Sequence, residues 1–199
     1  MAKLRAERAY ELTRTPDLHL WHVSAQGALG WCQVLSGDRD GLGILETSME
    51  QFAEVAGQDR YQRPFLLYGD ACLMLGEYAR GEDYVDQCLM VARERNTLYL
   101  PELSMQLARI RHHLGYSSAS VRTLAEQALG YAREHENLHH QLNALELWLT
   151  LVDPGDVQVR EEFARLLRQV SMTDAPVLMR WRALSEQSGS ETRARLRQV

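Results

Sequence analysis

The sequence predicts an all-α protein built from antiparallel helical hairpins stacked into an array. Three observations predict it. Gly37, Gly76 and Gly115 stand 39 residues apart, and each closes an apolar stretch of helical periodicity: Val34-Leu-Ser-Gly37, Leu73-Met-Leu-Gly76 and His112-His-Leu-Gly115. Seven residues before each glycine comes a small residue, Gly30, Gly69 and Ala108. No run of alternating β-branched residues is long enough to make a strand. A fixed period of this size marks a helical repeat array, an architecture used for recognition more than for catalysis.

The elements follow in order. A flanking helix over 2–14 precedes a first unit at 17–57, whose helices are joined by Gly37-Asp38-Arg39-Asp40. Its second helix places Leu45, Met49, Phe52 and Val55 on one face at three- and four-residue steps. The second unit, 61–96, starts at Pro64, a residue suited to a first helical turn because it lacks an N–H. Phe65, Tyr68, Cys72 and Leu75 line its first helix; Val85, Leu89 and Ala92 line its second. In the third unit, 98–137, Leu103, Leu107, Ile110 and Leu114 face Leu124, Ala128 and Ala132. A fourth unit, 138–171, breaks at Asp153-Pro-Gly-Asp156. A helix over 175–187 closes the array, and a tail over 188–199 follows. The recurring small residues have a mechanical reason: paired helices approach closely only where a side chain is absent or tiny. Ala53, Ala92 and Ala132 repeat that feature on the second helices.

Composition narrows the class. With 22 basic and 27 acidic residues the formal net charge is -5, which argues against a nucleic-acid surface spread over the chain. Arg193, Arg195 and Arg197 read as a solvated C-terminal cluster. Cys32, Cys72 and Cys88 are odd in number and lie in apolar helical patterns, as expected of reduced, buried thiols in a cytoplasmic protein. Met1-Ala-Lys-Leu-Arg-Ala-Glu-Arg8 has no apolar core of a secretory leader, and no stretch approaches 18 apolar residues. No membrane contact is expected.

Small residues at the eighth position of the first helix and again on the second resemble tetratricopeptide repeats, here of a longer, irregular type. Gly30-Trp31 with Gly37, Gly41, Leu45 and Phe52 resembles the degenerate repeats of large bacterial signalling ATPases. So does Ala125-Glu-Gln-Ala-Leu-Gly-Tyr-Ala-Arg-Glu-His135. The likeness covers about residues 5–152. It implies a right-handed superhelix (an α-solenoid) like that of maltose-activator-type transcription regulators. It also implies a chain that opens in mid-array, since Leu4 to Leu12 resembles the second helix of a preceding repeat. The phosphate-binding loop of those larger proteins is absent from this sequence.

In such a superhelix the first helices line a concave groove. The residue after each small crossing residue points into it: Trp31, Asp70, Arg109 and, by a further step of 39, Trp148. Arg63 and Glu102 lie a turn earlier, and His113 near a helix end. This sequence of aromatic, acid, base and aromatic suits a protein or peptide partner, or a small-molecule effector. The plainer alternatives are that Trp31 and Trp148 pack between repeats and that Asp70 and Arg109 form a half-exposed salt bridge.

His135-Glu136-Asn137-Leu138-His139 matches the zinc-protease string H-E-x-x-H, with Glu161 or Glu162 as a conceivable third ligand. That chemistry needs both histidines on one helix face. The repeat register instead ends a helix at His135 and begins another near His139. No catalytic residue and no metal or cofactor site is therefore assigned, and an incidental site on His135, His139 and His140 is the most the string offers. The expected function is a non-enzymatic binding module of a bacterial signalling or transcription-regulatory protein. The alternatives are self-assembly through the array ends, near residues 4–10 and 178–184, and a zinc hydrolase.

Overall fold

The computed structural model describes residues 2–56, 63–95, 97–170 and 177–185; at 55, 56 and 63–65 it describes helical backbone alone. The tail 188–199 with its three arginines, and the unit boundaries at Gly57, Tyr61, Asn96 and 171, lie outside these residues.

The described residues form helices and no strand. The helices are α1 Ala2–Leu12, α2 His19–Leu35, α3 Asp40–Ala56, α4 Arg63–Leu75, α5 Tyr78–Glu94, α6 Leu100–His113, α7 Ser118–Glu134, α8 Leu138–Leu147 and α9 Val157–Leu167. A last helix, α10, spans 177–185. A short 3-10 turn, Pro16–Leu18, leads into α2, and a π-helical turn, Trp148–Val152, extends α8.

The periodic glycines work as helix stops. Gly37, Gly76 and Gly115 have φ of 84°, 74° and 78°, the left-handed region where a side chain is strained. At Gly37 the amide donates to Val34 O (2.9 Å), and the Asp38 amide reaches back to Gln33 O (3.1 Å). The same pair of bonds recurs at Gly76–Glu77 and at Gly115–Tyr116, so orphan carbonyls of α2, α4 and α6 are satisfied alike. α7 ends in the same motif, with the Glu136 amide donating to Arg133 O (3.0 Å) and the Asn137 amide to Ala132 O (3.0 Å). Here the left-handed residue is not glycine: Glu136 has φ 51°. Glu136→Gly is therefore expected to stabilise the protein by about 1 kcal/mol. Thermal unfolding checks this as a rise of about 2–4 °C in Tm.

The hairpin crossing at α2–α3 is made by glycines on both sides. A Cβ on Gly30 would lie 2.8 Å from Gly41 O, and one on Gly41 2.5 Å from Gly30 O. Ser48 completes the contact: its hydroxyl, sealed from solvent, donates to Val23 O (2.7 Å) and sits where a Gly27 side chain would be. Gly69 serves a different contact. A Cβ there would meet Gln106 Oε1 of α6 at 2.5 Å as well as Val85 of α5 at 2.8 Å.

Two buried clusters share Cys88 at their border. Val34, Leu42, Leu45, Met49, Tyr68 and Cys72 form one; the other runs from Val85 through α6, α7 and α8 to Phe163 and Trp181. Cys72 is buried, whereas Cys32 and Cys88 are only half-buried, a correction to the expectation for all three. Burial pushes the Cys72 and Cys88 thiols up to about 11, so they stay protonated at neutral pH.

Helices adjacent in the chain pack on one another, and contacts also link alternate helices. α2 touches α4, α4 touches α6 and α6 touches α8. The odd helices are tied by polar pairs: Glu46 with Arg80 (α3–α5), Arg93 Nη2 to Gln127 Oε1 at 2.7 Å (α5–α7), and Arg133 Nη2 to Glu162 Oε2 at 2.6 Å (α7–α9). Each tie is largely solvent-exposed and contributes about 0–1 kcal/mol, so packing carries the stability. Among the described residues no helix is long and apolar enough to cross a membrane.

Candidate functional site

The even-numbered helices carry a polar seam through an otherwise apolar interior. Its centre is Gln106 on α6, which is buried. Its Nε2 donates to Leu66 O (2.7 Å) and to Asp70 Oδ1 (2.8 Å), both on α4. Its Oε1 has no partner among the described residues and lies against Gly69. Gly69 is thus the residue that lets the amide enter. Burial pushes the Asp70 carboxyl above its ordinary range, while the Gln106 bond and the Arg109 charge oppose that rise.

Further along, Glu102 on α6 meets His140 Nε2 of α8 at 3.2 Å. Glu146 on α8, 8% exposed, accepts from Arg180 (Nε to Oε1 2.6 Å, Nη2 to Oε2 2.7 Å) and from the Trp181 indole (2.9 Å). α10 is therefore docked onto α8 through one carboxylate. His139 packs beside Trp181, with ring centroids 5.6 Å apart; burial lowers its pKa, reinforced by the neighbouring His140 and opposed by Glu102. Arg109 feels the charges of Asp70 and Glu146 but forms an ion pair with neither. Burial lowers its pKa, the two carboxylates oppose this, and Arg180 adds to it.

The seam brings together three of the expected groove residues, Asp70, Glu102 and Arg109. Asp70 and Arg109 do not form the direct salt bridge that the spacing allowed; the partner of Asp70 on α6 is Gln106. The other expected residues stand elsewhere. Trp31 is half-buried against the Val34–Leu45–Cys72 cluster. His113 stacks on Tyr78 of α5 (4.5 Å, 5° between planes) at the exposed end of α6. Trp148 is 8% exposed and belongs to the core. Its indole donates to Asp156 Oδ2 (3.1 Å), and Arg122 of α7 covers its ring at 5.0 Å. The step of 39 from Arg109 therefore lands on a ring that Asp156 and Arg122 hold in the core, at the point where the π-helical turn begins. The Arg63 side chain lies outside the described residues.

Gln106, Glu146, Arg180 and Trp181 escape a reading of the sequence by period and spacing. Glu146 carries a signal all the same: it is the one charge in Leu142-Asn-Ala-Leu-Glu-Leu-Trp-Leu149. A lone carboxylate in such a run is buried and must find donors.

The H-E-x-x-H string straddles a helix break. His135 is the C-cap of α7, Glu136 is left-handed, and Asn137 caps α8 by accepting from the His140 amide (3.1 Å). His135 and His139 thus belong to two different helices. Glu162, a conceivable third ligand, is engaged by Arg133 and Arg165. Among the described residues, no three His, Cys, Asp or Glu side chains converge as metal ligands would. No protein-family model matches the chain, and no curated protein matches it.

Proposed function

We propose that this protein is a tetratricopeptide-like α-solenoid whose function is recognition, without catalysis, on the face formed by α2, α4, α6 and α8. The observation that carries the reading is the polar seam on one of two helix series. It holds an acid and a base that the fold buries in part, Asp70 and Arg109, and it leaves Gln106 Oε1 and His140 Nδ1 buried without a partner among the described residues. A stability-driven core would have apolar residues there. The two series themselves support the solenoid: each even helix touches the next even helix, and polar pairs tie the odd ones. Its occupant is a protein, a peptide or a small-molecule effector. A setting in a cytoplasmic bacterial signalling or transcription-regulatory protein rests on the likeness of the Gly30–Phe52 and Ala125–His135 segments to such repeats.

The test is thermal unfolding against sugars, nucleotides, amino acids and peptides. A ligand at one hundred times its dissociation constant stabilises by about 2.7 kcal/mol. The expected result is at least one hit that Arg109→Ala removes. Hits that every seam variant retains would place binding elsewhere.

A second reading, self-assembly through the array end, is favoured by Leu4, Leu12 and Trp21, which are 69%, 66% and 66% exposed at α1 and the start of α2. Sedimentation that stays monomeric at high concentration argues against it.

A further inference from the structure

We propose that the cleft between α1 and α2 binds a phosphate group, with Arg14, His19 and His22 as its cationic partners. The cleft shares no residue with the polar seam, so this site is separate from the even-helix face and goes beyond that reading.

The cleft holds about 340 Å³ and is lined by Thr13, Arg14, Thr15, Pro16, His19 and His22. Small-molecule sites span about 300–1,000 Å³. Arg14, His19 and His22 are bases, Thr13 and Thr15 carry hydroxyls, and no lining residue is acidic. The chain as a whole is acidic, with a formal net charge of -5, so this lining departs from its average surface.

Local bonds fix the bases in place. His22 is half-buried and stacks on Tyr10 of α1, with ring centroids 4.2 Å apart and 24° between planes. Its Nδ1 lies 3.2 Å from Tyr10 O and 3.3 Å from Thr13 Oγ1. A carbonyl oxygen only accepts, so Nδ1 carries the hydrogen. The Thr13 hydroxyl in turn donates to Ala9 O (2.8 Å). Nε2 is therefore the nitrogen that takes up a proton, and it has no partner among the described residues. His19 stands three residues earlier on α2, on the same side of the helix. Arg14 comes from the chain between α1 and α2. Its guanidinium packs over Tyr10 at 5.4 Å, and its Nη1 meets Glu11 at 3.1 Å. Nε and Nη2 remain for a ligand. Thr15, at the start of the turn into α2, spends no side-chain bond on that turn. Tyr10 thus orients one base from α2 and one from the connecting chain.

Sign and shape select the ligand. A divalent metal ion on the two imidazoles would meet the like charge of Arg14 with no lining acid to offset it. A phosphate meets the opposite sign at all three bases and accepts from each, in the charge-assisted bonds that are the strong ones. It also offers an oxygen to the Thr15 hydroxyl. A planar carboxylate has two oxygens, too few for donors that approach from two parts of the chain. Inorganic phosphate is smaller than the cleft, which leaves room for the organic part of a phosphate monoester.

The test is a titration of the full chain, followed by NMR at the Cε1–H signals of its seven histidines. The probes are inorganic phosphate, glucose 6-phosphate, glucose, zinc ion, and sodium chloride at matched ionic strength. At pH 7, phosphate is expected to move the His19 and His22 signals alone towards the imidazolium position, because a bound anion favours the charged ring. Saturation with a Kd of about 1 mM is expected for a few charge-assisted bonds. Glucose 6-phosphate should bind more tightly than phosphate, and glucose should not bind. Arg14→Gln should weaken phosphate binding about tenfold, while Tm stays within about 1–2 °C of wild type, as for an exposed side chain. His19→Gln, also at an exposed position, should weaken it several-fold. Phosphate bound more tightly than its ester supports the site with the free ion as its ligand. Signals of all seven histidines moving alike, or moving equally in sodium chloride, mean charge screening and overturn the proposal. So does phosphate binding that both variants retain. Zinc binding at these rings that Arg14→Gln strengthens, with no response to phosphate, overturns it in favour of a metal site.

Discussion

Trp181→Ala is expected to cost about 3–5 kcal/mol, the upper range for the loss of one buried side chain. Trp181 is 1% exposed, stands edge-on to Phe163 (6.4 Å, 85°) and packs beside His139. Removing it opens a cavity between α8, α9 and α10, and it leaves Glu146 without the indole donor. Trp181→Phe separates these effects. It keeps most of the buried area but not the N–H, so it should cost about 1–3 kcal/mol, the cost of an unsatisfied buried acceptor. Urea unfolding of both variants gives the difference. Because α10 is held to α8 through Glu146, hydrogen exchange in residues 177–185 should rise first in Trp181→Ala. Equal losses for the alanine and phenylalanine variants would mean that the hydrogen bond, and not the area, holds the helix.

The helical class and the ends of the helices were legible because they rest on local properties. A glycine that closes an apolar helix does so through its own φ, and Gly37, Gly76 and Gly115 repeat one hydrogen-bond pattern in three places. Residues whose partners come from another unit were not legible in the same way. Gly30 and Gly69 occupy equal positions in the period, yet Gly30 admits the backbone of its own hairpin and Gly69 admits Gln106 from the next unit. Asp70 and Arg109 have the spacing of a salt bridge across neighbouring helices, yet the partner of the acid is Gln106, three residues before Arg109. No pattern in one helix reveals that choice. Trp148 shows a different limit: its ring is held in the core by Asp156 and by Arg122 of α7, and a fixed step along the first helices sees neither.

Glu136 joins these two cases. Its neighbours made the stop legible, because Asn137 is a helix-capping residue and His139 falls at the start of the next helix. The left-handed backbone at a glutamate was not legible, since nothing in its side chain favours that φ. The break decides how the H-E-x-x-H string is used: one histidine ends a helix, the other begins one, and Glu136 serves the turn between them.

Gly41→Ala and Gly43→Ala, two positions apart on α3, are expected to act in opposite directions. Both should gain up to about 1 kcal/mol from replacing glycine within a helix. At Gly43 nothing lies within 4 Å of the added Cβ, so the gain is kept and Tm should rise by about 2–4 °C. At Gly41 the Cβ would stand 2.5 Å from Gly30 O, 2.9 Å from the Val34 amide nitrogen and 2.9 Å from a Val34 methyl. Two of those atoms are backbone and cannot rotate away, so α2 and α3 must separate. Overpacking of this kind costs about 1–3 kcal/mol or more, which exceeds the helical gain. A net loss of roughly 2 kcal/mol is expected, or about 4–8 °C in Tm. A second substitution cannot repair it, because Gly30 already has no side chain to remove. If Gly41→Ala proved as stable as Gly43→Ala, the backbone contact between α2 and α3 would be looser than described, and the small residues at this crossing would lose their mechanical explanation.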